Sequence, residues 1–404
     1  MKLSRQFFII GSIFIPWIVA AQNIKEDTEA AWLSDDGDPV DSLSEEDYLD
    51  ILLLEELDEE LFFVSGWEEE ITLTGGTGYK DNALEGTFKE EGSLFFLFSL
   101  EMFMWRYPSE GAGNLSFYSL VEQLQYVNVG ELDYERYNLW RFDWVKDLSQ
   151  KLKAGFSPQY TYSNEVFDLA FEEDVSASTL LEFHQFELRT FLKRALPADT
   201  FLQLDLVVRR DFFRDSSDDN TEPGVELEWG KHYGDKNTLS FKWKASHKRY
   251  DTRNLRDEDG VSVSDTSLRS NRNEIQLELK HYWDTERKWQ TKTKFQWKTT
   301  DDGREHYSDY DRCRVNQSLK YEGDNWALWG AIELSYYDYR AQAVSHEDDS
   351  VLYYTSFRLE IDARKKISEK WSVFLRMEHD RSFSNRREDE IEQNTALIGF
   401  DYLL

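Results

Sequence analysis

The chain is short of cysteine, of basic residues and of long apolar runs. One cysteine, Cys313, stands among 404 residues. A single thiol excludes a disulfide framework and any zinc or iron–sulfur centre built on cysteines. Lys and Arg total 47 against 79 Asp and Glu, a formal charge of −32. That acidity argues against nucleic acid as a general partner. Beyond the first 21 residues the longest apolar stretches are 51–54 and 94–98. Both fall far below the roughly 20 residues a helix needs to cross a bilayer. If such a chain crosses a membrane it does so as a closed sheet, because only helices and closed barrels satisfy their backbone groups there. What the chain has in quantity is aromatic side chains, 15% of residues, which argues against wholesale disorder.

Residues 1–21 read as an export signal. Lys2 and Arg5 form a basic start, residues 7–20 are nearly all apolar, and Ala20 and Ala21 are small where a peptidase would cut. No cysteine follows the cut, so a lipid-anchored form is not expected. The mature chain is expected to work outside the cytoplasm.

Residues 22–66 form a separate acidic segment. Positions 22–70 hold 19 acids and one base, Lys25. Ser44, Glu45, Glu46 and Asp47 suit a helix start, with a capping side chain and a negative first turn. Leu49, Leu53, Leu57 and Leu61 recur every fourth residue and share one face. Two readings stand: an amphipathic helix that binds a periplasmic partner or enters a pore, and a tether with a partly ordered helix.

From residue 67 to 404 the period changes to two. Ile275, Leu277 and Leu279 alternate with Glu274, Gln276, Glu278 and Lys280. Phe241 and Trp243 alternate with Lys242 and Lys244, and Phe295 and Trp297 with Lys294, Gln296 and Lys298. Side chains on a strand alternate between faces, so each segment carries one apolar, aromatic face and one charged face. About sixteen such segments are expected, centred near Leu73, Phe98, Leu120, Trp140, Phe156, Phe186, Leu206, Leu227, Trp243, Leu277, Phe295, Val315, Ile332, Phe357, Val373 and Phe400. Short links near 234–236, 284–288, 322–325 and 364–370 alternate with long polar ones near 251–270, 301–311, 341–350 and 381–392. That rhythm predicts an all-β fold, a transmembrane antiparallel up-and-down barrel, with both ends on one side because the count is even. Strands of roughly 10–14 residues suit a bilayer crossing. Trp283, Trp289, Trp326, Trp329 and Trp371 cluster beside the short links, as in an interfacial girdle.

The last strand is the most telling. Residues 394–404 place Ala396, Ile398, Phe400, Tyr402 and Leu404 on one face. This resembles the C-terminal strand of Gram-negative outer-membrane β-barrel proteins, although that family usually ends on Phe where this chain ends on Leu404. The resemblance covers residues 67–404 as architecture and is porin-like in kind. It implies outer-membrane location, short periplasmic turns, long surface loops, contact with outer-membrane lipid and lipopolysaccharide, and assembly by the barrel-insertion machinery.

Chemistry-bearing motifs are few. The seven histidines are scattered, with no metal-ligand spacing. No catalytic residue, metal or cofactor is expected. His184 and Ser178 are formal candidates for a lipid-acting pair, and a histidine among strand aromatics is the plainer reading. Gly75, Gly76 and Gly78 resemble a phosphate loop only superficially and read as a closely packed strand. Acidic runs at 215–222 and 257–260 lack a full calcium pattern and read as solvated loops. The face opposite the aromatics is more informative. Lys242, Lys244, Lys248, Lys292, Lys294, Lys298, Arg312, Arg314 and Lys320 form a basic stripe in an acidic protein. Such a wall favours anions in a pore. Glu226, Glu228, Glu274, Glu278, Glu333 and Glu360 offer the alternative of an internal salt-bridge ladder. The expectation is a channel for small anionic or saccharide solutes. The alternatives are a non-conducting scaffold for surface loops and, last, a lipid-acting enzyme.

Overall fold

The computed structural model describes residues 67–404 apart from 85–90, 107–112, 128, 130–131, 169–177, 215, 235, 257–261, 304–305, 346–347 and 387–389. The expected export signal, the acidic segment with its expected helix, and the acidic run at 257–260 lie outside the described residues.

Sixteen antiparallel strands close into one barrel. They are β1 (Trp67–Lys80), β2 (Ser93–Arg106), β3 (Asn114–Val127), β4 (Tyr134–Ser149), β5 (Leu152–Asp168), β6 (Ser178–Leu196), β7 (Thr200–Phe213) and β8 (Asn220–Tyr233), then β9 (Asn237–Tyr250), β10 (Arg269–Tyr282), β11 (Trp289–Asp301), β12 (Tyr310–Glu322), β13 (Trp326–Ser345), β14 (Asp348–Lys366), β15 (Trp371–Ser384) and β16 (Glu392–Leu403). Each expected segment centre falls inside one strand. Each strand pairs with its sequence neighbours, and β1 closes on β16 with Leu73 opposite Tyr402 and Gly75 opposite Phe400. Closure pairs every strand edge.

The alternation is physical. On β10, Leu277 is 47% exposed on the outer surface while Gln276 is 4% exposed on the inner one. The outer surface repeats this around the ring, with Leu94, Phe96 and Phe98 on β2, Leu202, Leu204 and Leu206 on β7, and Ile398 and Phe400 on β16 all exposed. On the last strand Ala396, Ile398, Phe400 and Leu404 are exposed, and Tyr402 packs against Trp371 with ring centroids 4.7 Å apart.

Three expectations need correction. Most strands keep to the expected length, but β4, β5, β6, β13 and β14 run longer, from 16 to 20 residues. The long polar link at 341–350 is mostly strand. β13 reaches Ser345 and β14 starts at Asp348, with register shifts between Asp338 and Ser345. A bulge lets pairing continue through a polar stretch, and the buried rings of Tyr337, Tyr339 and Tyr354 pack with Leu352 beneath it. Trp329 does not join the girdle. It is paired with Lys320 and Asp362 and shares its strand face with the inward Glu333.

The interior has two unlike halves. Around β15, β16 and β1–β5 it holds an apolar cluster beside buried polar groups such as Glu135, Asp143 and Asp401: Phe95, Leu97, Tyr126, Phe374 and Leu397 pack with Ala83, Val129 and Leu132 from the connections. A second group, Tyr118, Leu120, Tyr137 and Leu139, lies beside it on β3 and β4. The other half is ionic.

Candidate functional site

The ionic half is built by β6 to β14. Because these strands alternate, every second residue points inward, and the inward residues are long and charged. The nine bases of the stripe lie on this inner surface at several heights. Toward the short-turn end, Lys242 pairs with Glu228 at 3.6 Å, Lys292 with Glu278 at 3.4 Å and Lys320 with Glu322 at 3.5 Å. Higher up, Lys244 and Arg312 share Glu274 at 3.7 and 3.5 Å, and Arg314 meets Glu333 at 3.2 Å. Lys248 is buried near the opposite end, with its ammonium 4.9 Å from the Tyr250 ring centre.

Lys244, Lys294, Lys298, Arg312 and Arg314 converge on one cavity of about 920 Å³, counting its opening to solvent. Lys242, Lys248, Lys292 and Lys320 lie outside it. Sequence reading missed three arginines that complete the cavity wall: Arg189, Arg209 and Arg272. Arg272 shares the parity of Glu274, and Arg189 that of Glu187, which is the signal that would have found them. Arg189 meets Glu226 at 2.9 Å and Arg272 meets Glu222 at 3.2 Å. Both contacts skip one strand, because long side chains lean along the tilted wall.

All six acids named as ladder partners carry an ion pair here, Glu360 with Arg358 at 3.8 Å. The ladder is therefore present. Eight bases and three acids, Glu222, Glu226 and Glu274, line the cavity, and Glu187, Asp205 and Glu333 pair with its arginines from beside it. The guanidinium forks suit carboxylate and phosphate oxygens, and the ammonium groups act as point charges.

Other candidate groups are structural. His184 faces outward, and its Nδ1 lies 2.8 Å from the Tyr160 hydroxyl. The side chain of Ser178 lies outside the described set. Gly75, Gly76 and Gly78 sit at the closing seam, where β-carbons would strike Phe400, the Ile398 carbonyl and the Ala396 carbonyl respectively. Sequence reading also missed a cluster of metal-ligating types on the β11–β12 connection, Asp301, Asp302, His306 and Asp309. Its groups hold one another. The buried Asp309 accepts the Asp302 amide at 2.6 Å and lies 2.8 Å from His306 Nδ1. Asp302 in turn accepts the His306 amide at 2.9 Å. Gln317, a polar residue on the outer surface, is satisfied by Thr293 directly across the strands at 2.6 Å.

No family model and no curated protein matches this sequence. Solved structures resemble it in shape. OccAB3 of Acinetobacter baumannii aligns at TM-score 0.47 and 8% identity, over 84% of this chain and 100% of that one. A BenF-like porin from Pseudomonas fluorescens aligns at 0.42 and 10%, over 85% and 100%. OpdK of Pseudomonas aeruginosa, solved with vanillate, aligns at 0.43 and 9%, over 83% and 98%.

Proposed function

We propose that this barrel resides in the outer membrane of a Gram-negative bacterium after export, and passes small anionic or saccharide solutes along its basic inner wall. The apolar outer belt supports the membrane reading. A water-soluble monomer rarely exposes apolar patches beyond a few hundred Å², and here Leu, Phe and Trp side chains stand exposed on strand after strand. The observation that carries the transport reading is the set of eight bases on the cavity wall, against six acids that line it or pair with its arginines. Sixteen strands leave room for an aqueous bore. The last strand, with Ala396, Ile398 and Phe400 outward, would be the segment read by the insertion machinery, and the acidic segment at 22–66 is left to a periplasmic partner.

The test is conductance of the mature protein in planar bilayers under a salt gradient. A reversal potential of the sign set by anions supports the reading, and a cation-selective pore overturns it.

A second reading, a non-conducting scaffold, is favoured by one observation. Phe95, Leu97 and Tyr126 pack with Ala83, Val129 and Leu132 inside the wall and fill part of the bore. Reconstituted protein with no conductance would select that reading. A lipid-acting enzyme is disfavoured, because the residues directly opposite its candidate base, His184, are Tyr162 and Phe212 and neither is a serine or cysteine nucleophile.

A further inference from the structure

An arginine row crosses the outer surface near the long-loop end. Arg269 on β10 lies directly opposite Arg249 on β9. Arg249 lies opposite Thr221 on β8, and Thr221 opposite Arg210 on β7. Four neighbouring strands thus contribute Arg210, Thr221, Arg249 and Arg269 to one line. All four side chains take the outward parity of their strands, shared with the exposed Val208, Leu227, Trp243 and Leu277.

Like charges directly opposite on a sheet are destabilising. One carboxylate serves the row. Asp251 takes Arg210 in a two-pronged contact, at 2.6 and 3.0 Å, and Arg210 also donates to the Thr221 hydroxyl at 2.8 Å. Arg249 lies near the same Asp251, which its charge helps keep ionised. Among the described residues, neither Arg249 nor Arg269 has a carboxylate within ion-pair distance. Both are exposed.

Their height matters. The outward apolar run of β9 begins at Leu239. Ten residues at about 3.3 Å each, tilted by about 40°, set Arg249 about 25 Å above it, the usual height of an apolar belt. Beneath the pair, His247 and Asn271 are joined at 2.9 Å, and below them come Trp243 and Ile275. The row therefore stands where apolar surface gives way to polar headgroups.

We propose that Arg249 and Arg269, supported by Arg210 and Thr221, bind a phosphate group on a lipid of the surrounding leaflet. A phosphate between the two guanidiniums turns their repulsion into two charge-assisted contacts, while the acyl chains lie on the apolar surface below. A free phosphate supplies the same charge without those chains. The proposal rests on the membrane reading above and is independent of what the bore conducts.

The test uses full-length mature protein folded in detergent micelles. Diphosphorylated lipid A, its dephosphorylated form and inorganic phosphate are titrated separately, with bound lipid counted by native mass spectrometry and unfolding followed by heating. The wild type is expected to retain diphosphorylated lipid A and to unfold at higher temperature with it. R249Q/R269Q is expected to bind it at least tenfold more weakly, with unchanged conductance. R269E is expected to bind as weakly, yet to unfold at or above the wild-type temperature without lipid, since attraction replaces repulsion. R249Q/R269Q carries the test if R269E misassembles. Wild-type-like lipid binding by the variants overturns the site. Equal binding of the dephosphorylated lipid, or equal protection by inorganic phosphate, overturns the assignment to a lipid phosphate. Loss of the folded barrel in detergent altogether would instead count against the membrane reading.

Discussion

Gly75 on the first strand faces Phe400 on the last, and the phenyl ring fills the space where a β-carbon at Gly75 would stand, 2.9 Å from its Cζ. Three residues on, Gly78 is confined differently. A β-carbon there would lie 2.6 Å from the Ala396 carbonyl as well as against the Phe95 ring. A ring can swing aside, but a backbone carbonyl held in the ladder cannot.

Gly78→Ala is therefore expected to destabilise the barrel by about 1–3 kcal/mol, and Gly75→Ala by less. Thermal unfolding of the refolded variants, followed by the mobility change on unheated gels, ranks them. Equal losses would show that the carbonyl is not the obstacle.

The assignment of faces is open to a paired substitution. Leu277→Arg puts a charge on the belt and is expected to cost about 2–4 kcal/mol near mid-height. Gln276→Arg puts the same charge beside Glu274 and Glu278 on the inner wall, where it is expected to be tolerated. Unfolding in urea with lipid vesicles measures both, and a similar cost at the two positions would contradict the faces.

Selectivity is expected to follow the wall charge. Lys294→Glu reverses one charge at the cavity without touching the Arg312–Glu274 pair. The anion-to-cation permeability ratio is expected to fall by up to about tenfold at low salt, and the difference to shrink at high salt. A ratio that stays put would separate selectivity from this cavity.

A fourth expectation concerns the β11–β12 connection. Hydrogen bonding to Asp309, together with its charge, holds His306 above the usual imidazole range. A raised folded value means the contact contributes fully below the ordinary value, near 6.5, and is lost as pH rises through the raised one. The protection factors of the Asp302 and His306 amides, in which the intrinsic base-catalysed rise of exchange with pH is divided out, are expected to fall as pH climbs above neutrality. His306→Ala should remove that dependence, and a variant that keeps it would shift the cause to another group. Burial pushes Asp309 up as well, so protonation at low pH weakens the same clasp from the other side.

The strands that were legible in the sequence are those that separate two unlike media. Glu274 to Lys280 alternates cleanly because one face meets the apolar belt and the other an ionic wall. Residues 94–105 alternate poorly for a visible reason: Phe95 and Leu97 point inward to an apolar cluster, so both faces are greasy. The stretch at 341–350 reads as loop because its side chains are polar, and only the bulged register with the tyrosine cluster shows why it pairs. Arg189 and Glu226 lie 37 positions apart and two strands apart. Their meeting depends on strand tilt, which no linear pattern carries.

The ring join sets the order in which this molecule can be made. The Thr74 hydroxyl donates to Asp401 across 327 positions of chain, at 2.9 Å. Contacts so remote in sequence pay their loop-closure entropy last. The neighbouring hairpins can zip one after another, whereas the joint between the two end strands waits until every strand between them is in place. Until then the half-built wall is a curved ribbon with two sticky margins, and whatever shields those margins governs how much of the chain matures.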